Sequence, residues 1–176
     1  MSVRYFTSSP SEALRELGCA FEEGADGTLV VSGNISLADR NLRSLPDLSS
    51  VIVKGDFNCS FNLLTSLKGA PKYVGGNFSC NNNNLASLEH SSRSVGGNFF
   101  CSNNELTSLA GAPQYVGGIF NCSQNWIVSL EYAPQRFGKL VSVLGQFEAW
   151  EEVPQDLRRT PAEKKPPVKY PRGFTL

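Results

Sequence analysis

The chain has little with which to do chemistry. It contains one histidine, one methionine and no Cys-x-x-Cys pair. The lone imidazole, His90, lies in Glu89-His90-Ser91-Ser92 with no patterned nucleophile or metal-ligand spacing around it, so general acid–base, nucleophilic and metal chemistry have no sequence basis. We therefore expect a non-enzymatic protein with no cofactor and no metal site. Charge of one sign is also missing: 16 Lys and Arg balance 16 Asp and Glu. Without net charge there is no global field to draw nucleic acid or an anionic membrane. No apolar run approaches the ~20 residues that span a bilayer. The N-terminal stretch MSVRYFTSSPSEALRELG lacks the ~7–15-residue apolar core of a secretory signal, which predicts a cytoplasmic protein with no membrane partner. Five cysteines are an odd number. That count suits free thiols in a reducing compartment better than a disulfide framework.

What the chain does have is a repeat. Cys59, Cys80, Cys101 and Cys122 stand 21 residues apart. Around them the same frame recurs, as VGGNFSCNNNNLASL (74–88), VGGNFFCSNNELTSL (95–109) and VGGIFNCSQNWIVSL (116–130). Self-similarity at a short fixed period means one structural unit stacked on copies of itself. Phe57, Phe78, Phe99 and Phe120 alternate with the cysteines, a period of two that predicts a short strand with one buried face. The cysteines are then small core residues. Asn62, Asn83, Asn104 and Asn125 follow, each placed where the chain turns inward and its amide can satisfy buried backbone groups. Leu64, Leu85, Leu106 and Ile127, then Leu67, Leu88, Leu109 and Leu130, complete the apolar positions. On the return side Pro71, Pro113 and Pro134 exclude a long helix, and the spacing predicts turns, short 3₁₀ pieces or extended chain. Gly55, Gly76, Gly97 and Gly118 either take positive φ or allow close packing of coils.

By length the chain is one domain. We divide it into an N-terminal cap (1–30), repeats (31–143, four regular and two degraded), a C-terminal cap (144–160) and a Pro/Lys-rich tail (161–176). Ser9-Pro10-Ser11-Glu12 is a capping box with proline at the first helical position, which predicts a helix over about residues 10–23 with Leu14, Leu17 and Phe21 on one face. Upstream, the repeat starts at Val31 with a 22-residue spacing and Arg40 in the Asn slot; downstream, Phe137–Val143 is a copy without Asn. Degraded terminal copies suit a solenoid, whose end coils face water. Phe147, Trp150 and Val153 are placed to close the far end, and Tyr170 and Phe174 to pin the tail.

The quoted motifs resemble a short leucine-rich repeat common in bacteria and tailed phages. The resemblance covers about residues 31–143. It implies an α/β-type leucine-rich repeat solenoid, right-handed, with a parallel β-sheet on the concave face and an irregular or 3₁₀ convex side. It also implies a scaffold for binding a protein and, for a phage protein, an inhibitor of a host defence protein acting in the host cytoplasm. Secreted effectors with related repeats carry a ubiquitin-ligase domain with a catalytic cysteine; this chain has no cysteine after Cys122, so that activity is not implied.

The register also assigns the outward slots. Most hold small polar residues, Ser60, Asn81, Asn82 and Asn103 among them. Phe61 and Phe100 break the pattern in strand slots, and Leu63 and Trp126 break it just past the Asn. Asp39 and Glu105 add acid nearby. Large apolar groups on an outward face point to a partner surface, with tryptophan the strongest anchor. Six strands at ~4.8 Å and about 10 Å of width give a flat area on the order of 250 Å², against ~800 Å² per partner for a standard interface. A tight complex needs the rim, a cap, the tail or a second copy as well, so a homo-oligomer is compatible with the sequence. An alternative is nucleic-acid or nucleotide binding through the Asn-rich face and the basic aromatic tail (Lys164, Lys165, Lys169, Tyr170, Arg172), which the absence of a basic stripe on the repeats opposes.

Overall fold

In a computed structural model of the chain, the described residues are 9–142, 145–147, 152 and 153. They form a parallel-strand β-solenoid of about five turns with little helix. The first part of the chain supplies α1 (Pro10–Glu16), β1 (Glu22–Glu23), β2 (Leu29–Val31) and β3 (Ile35–Ser36). The regular coils follow with β4 (Val51–Val53), β5 (Phe57–Asn58), β6 (Tyr73–Val74), β7 (Phe78–Ser79), β8 (Ser94–Val95) and β9 (Phe99–Phe100). Then come β10 (Tyr115–Val116), β11 (Ile119–Asn121), β12 (Lys139–Ser142) and β13 (Gly145–Phe147).

Each coil gives one strand to each of two sheets. The first sheet runs β1-β2-β4-β6-β8-β10 and the second β13-β12-β11-β9-β7-β5-β3. Within the repeats all pairings are parallel and in repeat register: Phe57 pairs Phe78, Phe78 pairs Phe99 and Phe99 pairs Phe120. The extra residue upstream is absorbed at once, since Ile35 pairs Phe57 and Leu29 pairs Val51. An antiparallel strand lies at one edge of each sheet, β1 on β2 and β13 on β12.

The return side is therefore more regular than expected. Of the turns, 3₁₀ pieces or extended chain expected there, the repeats carry extended chain, paired as the strands β4, β6, β8 and β10. The sequence reason is visible afterwards: Val51-Ile52-Val53, Tyr73-Val74 and Tyr115-Val116 are β-branched and aromatic, and these types suit a pleated, half-buried surface. Pro71 and Pro113 stand just ahead of their strands, where a missing N–H breaks no ladder bond. The ladder then continues into the glycines, with Gly75, Gly96 and Gly117 N–H groups donating to Val53, Val74 and Val95 carbonyls at 2.8–3.0 Å.

The core is a set of columns between the sheets. Phe57, Phe78, Phe99 and Phe120 are fully buried in one column, with ring centroids 5.1, 5.0 and 5.5 Å apart; the first pair is tilted and the other two are stacked. Burying a side chain of this size contributes about 1.5–3 kcal/mol relative to leaving it in water. Cys59, Cys80, Cys101 and Cys122 form the adjacent buried column, with the leucine columns beyond it.

The glycines at 55, 76, 97 and 118 allow close packing of coils rather than positive φ. A Cβ at Gly97 would lie 2.8 Å from Asn77 Oδ1 and 2.9 Å from the Gly76 carbonyl carbon. The amide of the preceding coil occupies the space a side chain would need.

The helix α1 ends at Glu16, well short of residue 23. Gly18 takes φ 69°, its N–H donates to Arg15 O at 3.0 Å, and Cys19 N–H donates to Leu14 O at 2.9 Å. This pair of bonds is the glycine-terminated Schellman arrangement, which stops a helix whatever follows it. Its start matches the motif: Ser9 Oγ accepts from Glu12 N–H and Glu12 accepts from Ser9 N–H. Ala13 and Leu14 are buried in the core, and Leu17 and Phe21 pack against it half-buried. Of the proposed C-terminal cap and tail, Trp150 and residues 154–176 lie outside the described residues, as does the Phe147 side chain; Val153 is buried.

Candidate binding surface

The surface is built on the asparagine ladder. Asn104 is 7% exposed. Its Nδ2 donates to Cys80 O and Cys101 O at 3.1 Å and to Ser102 O at 3.3 Å, while its Oδ1 accepts from Leu85 N–H at 3.1 Å. Asn83 and Asn125 repeat this set one coil away on each side. Each asparagine thus ties its own turn to the preceding coil. At the first coil, where Arg40 stands in the Asn slot, Asn62 Oδ1 accepts from both Arg40 N–H and Leu42 N–H.

A second ladder, which the sequence reading missed, runs along the entry to the other strand. Asn34 Oδ1 accepts from Asp56 N–H, Asp56 from Asn77 N–H, Asn77 from Asn98 N–H and Asn98 from Ile119 N–H, at 2.6–2.9 Å. The signal was the Asn of VGGN at the repeat period. The Ser66, Ser87, Ser108 and Ser129 column has a local task as well. Each hydroxyl accepts the N–H two residues on, at 3.1–3.4 Å, and so closes a turn around the buried leucine between them.

Immediately before each ladder Asn, and before Arg40 in the first coil, the backbone turns left-handed. Asp39, Phe61, Asn82, Asn103 and Gln124 have φ of 53–57°. Asn and Asp accept this region readily; a bulky aromatic does not. A second left-handed column holds Gly69, His90, Gly111 and Tyr132, with φ of 65–94°. Here His90 and Tyr132 stand where their neighbours are glycine.

The expected contact residues separate into groups. Trp126 is 73% and Phe61 61% exposed; Leu63 is marginally exposed, and Glu105 and Asp39 face solvent. Asp39 and Phe61 share the left-handed column, and Leu63, Glu105 and Trp126 share the column just past the ladder. Phe100 departs from expectation. It is half-buried on β9, in register between Ser79 and Asn121, so the neighbouring strands cover part of the ring. Ser60 departs further: it is 3% exposed, and its Oγ is the one buried side-chain polar atom among the described residues without a hydrogen-bond partner. Val128 and Tyr132, not singled out in the sequence, are 80% and 50% exposed and join Trp126 on the last regular coil.

Between the coils lies an open depression of about 730 Å³. Asn82, Asn84, Asn103, Glu105 and Trp126 rim it, over a floor of ladder amides from Asn62, Asn83 and Asn104. Asn103 Nδ2 donates to Asn82 Oδ1, and Asn84 Nδ2 donates to Glu105 Oε1 at 3.2 Å.

The thiols are placed as core. Burial holds Cys59, Cys80 and Cys101 well above the ordinary thiol range and pushes Cys122 up to about 12. Cys101 and Cys122 Sγ approach Asn121 O and Val141 O at 3.4 and 3.5 Å. No cysteine is in a disulfide; Cys19 alone is half-buried. His90 is exposed on its turn. Among the described residues no group of three or more His, Cys, Asp or Glu side chains is placed to hold a metal, and no helix is long and apolar enough to cross a membrane. Comparison of the chain with protein-family models, with curated proteins and with solved structures gives no match.

Proposed function

We propose that the chain is a non-enzymatic scaffold of leucine-rich-repeat type that binds a protein partner through the surface just past the asparagine ladder. The Phe-x-Cys strands form its concave face, and α1 caps its first coil. The observation that carries this reading is Trp126: a large aromatic side chain, 73% exposed, held on a coil whose backbone is tied by Asn125 and by the 2.8 Å bond from Trp126 N–H to Leu106 O. A large aromatic on a fixed backbone suits a binding hot spot, since no backbone entropy is lost on contact. Phe61, Leu63, Val128 and Tyr132 enlarge the apolar area, and Glu105 and Asp39 add charge at its edge. If the chain is phage-encoded, as its resemblance implies, the partner is a host defence protein that it inhibits in the host cytoplasm.

The buried, protonated thiols and the solitary exposed imidazole are poor material for catalysis, which supports a binding role. No observation favours the nucleic-acid reading: the depression is lined by no Lys or Arg, and the basic tail lies outside the described residues. The test is affinity capture from lysate of the source or host cell with the wild-type chain and a Trp126→Ala/Val128→Ala variant of equal helical and sheet content. Loss of at least one captured protein supports the reading; equal recovery of every protein by both contradicts it.

A further inference from the structure

We propose that the depression between Asn82 and Trp126 binds a neutral, hydroxyl-rich ligand, a short oligosaccharide lying along the solenoid axis. The inference goes beyond the protein-binding reading and rests on the chemistry of the rim. That rim has no cation, which excludes the charge pairing that phosphate and nucleic-acid ligands depend on. Its lining holds no aliphatic side chain, which suits an amphipathic helix seated by its apolar face poorly.

What remains is an array of groups that both donate and accept. With Asn103 Nδ2 committed to Asn82 Oδ1, Asn82 Nδ2 is left as a donor and Asn103 Oδ1 as an acceptor. With Asn84 Nδ2 on Glu105 Oε1, Asn84 Oδ1 and the second Glu105 oxygen are left as acceptors. A hydroxyl is donor and acceptor at once, so vicinal hydroxyls match such mixed pairs. Each pair joins two neighbouring coils, at the parallel-strand spacing of about 4.8 Å. An extended peptide along the same direction advances only about 3.3 Å per residue and falls out of step within two coils. A pyranose ring is longer than a peptide unit, so a linked chain of such rings keeps step better. At the end of the row Trp126 offers a flat apolar face for the C–H side of a sugar ring and an indole N–H for a hydroxyl.

The test is a ¹H–¹⁵N titration of the full chain with short cello- and chito-oligosaccharides, following the side-chain amides of Asn82 and Asn103 and the Trp126 indole. We expect saturable shifts of these signals by at least one neutral oligosaccharide. Trp126→Ala, and separately Asn103→Gly, which keeps the left-handed backbone, should each weaken binding by roughly tenfold or more. A sulfated oligosaccharide and an extended poly-Asn/Ser peptide serve as competitors. Absence of shifts at millimolar ligand, unchanged binding by both variants, or binding of the peptide or the sulfated sugar in preference would overturn the proposal. These readouts are independent of protein capture, so either reading can fail alone.

Discussion

Replacing Asn104 by alanine tests the structural logic that holds every other feature in place. Asn104 makes four hydrogen bonds inside the solenoid, but they are not equivalent. Cys80 O and Cys101 O each accept from a second ladder amide as well, from Asn83 and Asn125, and Ser102 O also accepts from Asn82 N–H at 3.1 Å. Those carbonyls keep a partner when Asn104 is truncated. Leu85 N–H does not, because Asn104 Oδ1 is the acceptor it uses. One orphaned buried donor costs about 1–3 kcal/mol, and the net loss of the weakened carbonyl bonds adds about 1 kcal/mol. We expect Asn104→Ala to lower unfolding stability by about 2–4 kcal/mol in urea denaturation with an unchanged m-value. Asn104→Asp separates acceptor from donor. It keeps an oxygen for Leu85 N–H but turns oxygens toward three carbonyls, so at neutral pH it should cost more than alanine. Burial among carbonyls raises the new carboxyl above its unfolded value of about 3.9. Its penalty therefore shrinks as pH falls toward that value, when the protonated acid can donate again. An alanine variant within about 0.5 kcal/mol of wild type, a change expected only of inert surface sites, or an aspartate variant as stable as wild type at pH 7, would refute the ladder account.

Three further outcomes follow from the geometry. Phe61→Asn should raise the melting temperature by roughly 2–4 °C, about 1 kcal/mol for a chain of this size, because it relieves left-handed strain at φ 57° and gives up little burial; partner capture should fall at the same time, and calorimetry beside affinity capture checks both. Gly97→Ala should destabilise by about 1–3 kcal/mol through overlap with Asn77 Oδ1 and the Gly76 carbonyl; a neutral result in denaturant melts would show that the coils are less tightly stacked. In native protein at pH 8 a thiol reagent should modify Cys19 alone, and all five cysteines in denaturant, read by intact mass. Because burial raises the folded thiol pKa, unfolded thiols ionise first. Stability is complete below the usual thiol value near 9.0 and falls above it, by about 1.4 kcal/mol per thiol per pH unit, until the folded thiols titrate.

The repeat made much of this architecture legible. The 21-residue period, the Phe-x-Cys alternation and the inward Asn all correspond to features of the solenoid, because each is a statement about which side chain faces inward. The second sheet was less legible: Tyr73-Val74 and Tyr115-Val116 are two-residue strands, too short for a period-two pattern, and only their stacking makes them strands. The early end of α1 was written in Gly18, but the apolar spacing of Leu14, Leu17 and Phe21 argued for a longer helix and tertiary packing used the same residues differently. Outward positions were read least well. Ser60 is buried and Phe100 half-buried because exposure depends on neighbours one coil away, while Val128 and Tyr132 fall outside the outward slots that the register assigned. The left-handed column containing Phe61 could have been suspected from Asn82 and Asn103, two Asn residues at one register position.

The most direct test of the binding account places a photo-reactive amino acid at Thr107, exposed two residues past Glu105, and in a second protein at Arg93, exposed beside β8. Both are irradiated in the cell of origin and their adducts identified by mass spectrometry. The account predicts a discrete protein adduct from position 107 that is absent from position 93 and is lost when Trp126→Ala is added. Equal adducts from both positions, or a 107 adduct indifferent to Trp126, would contradict it.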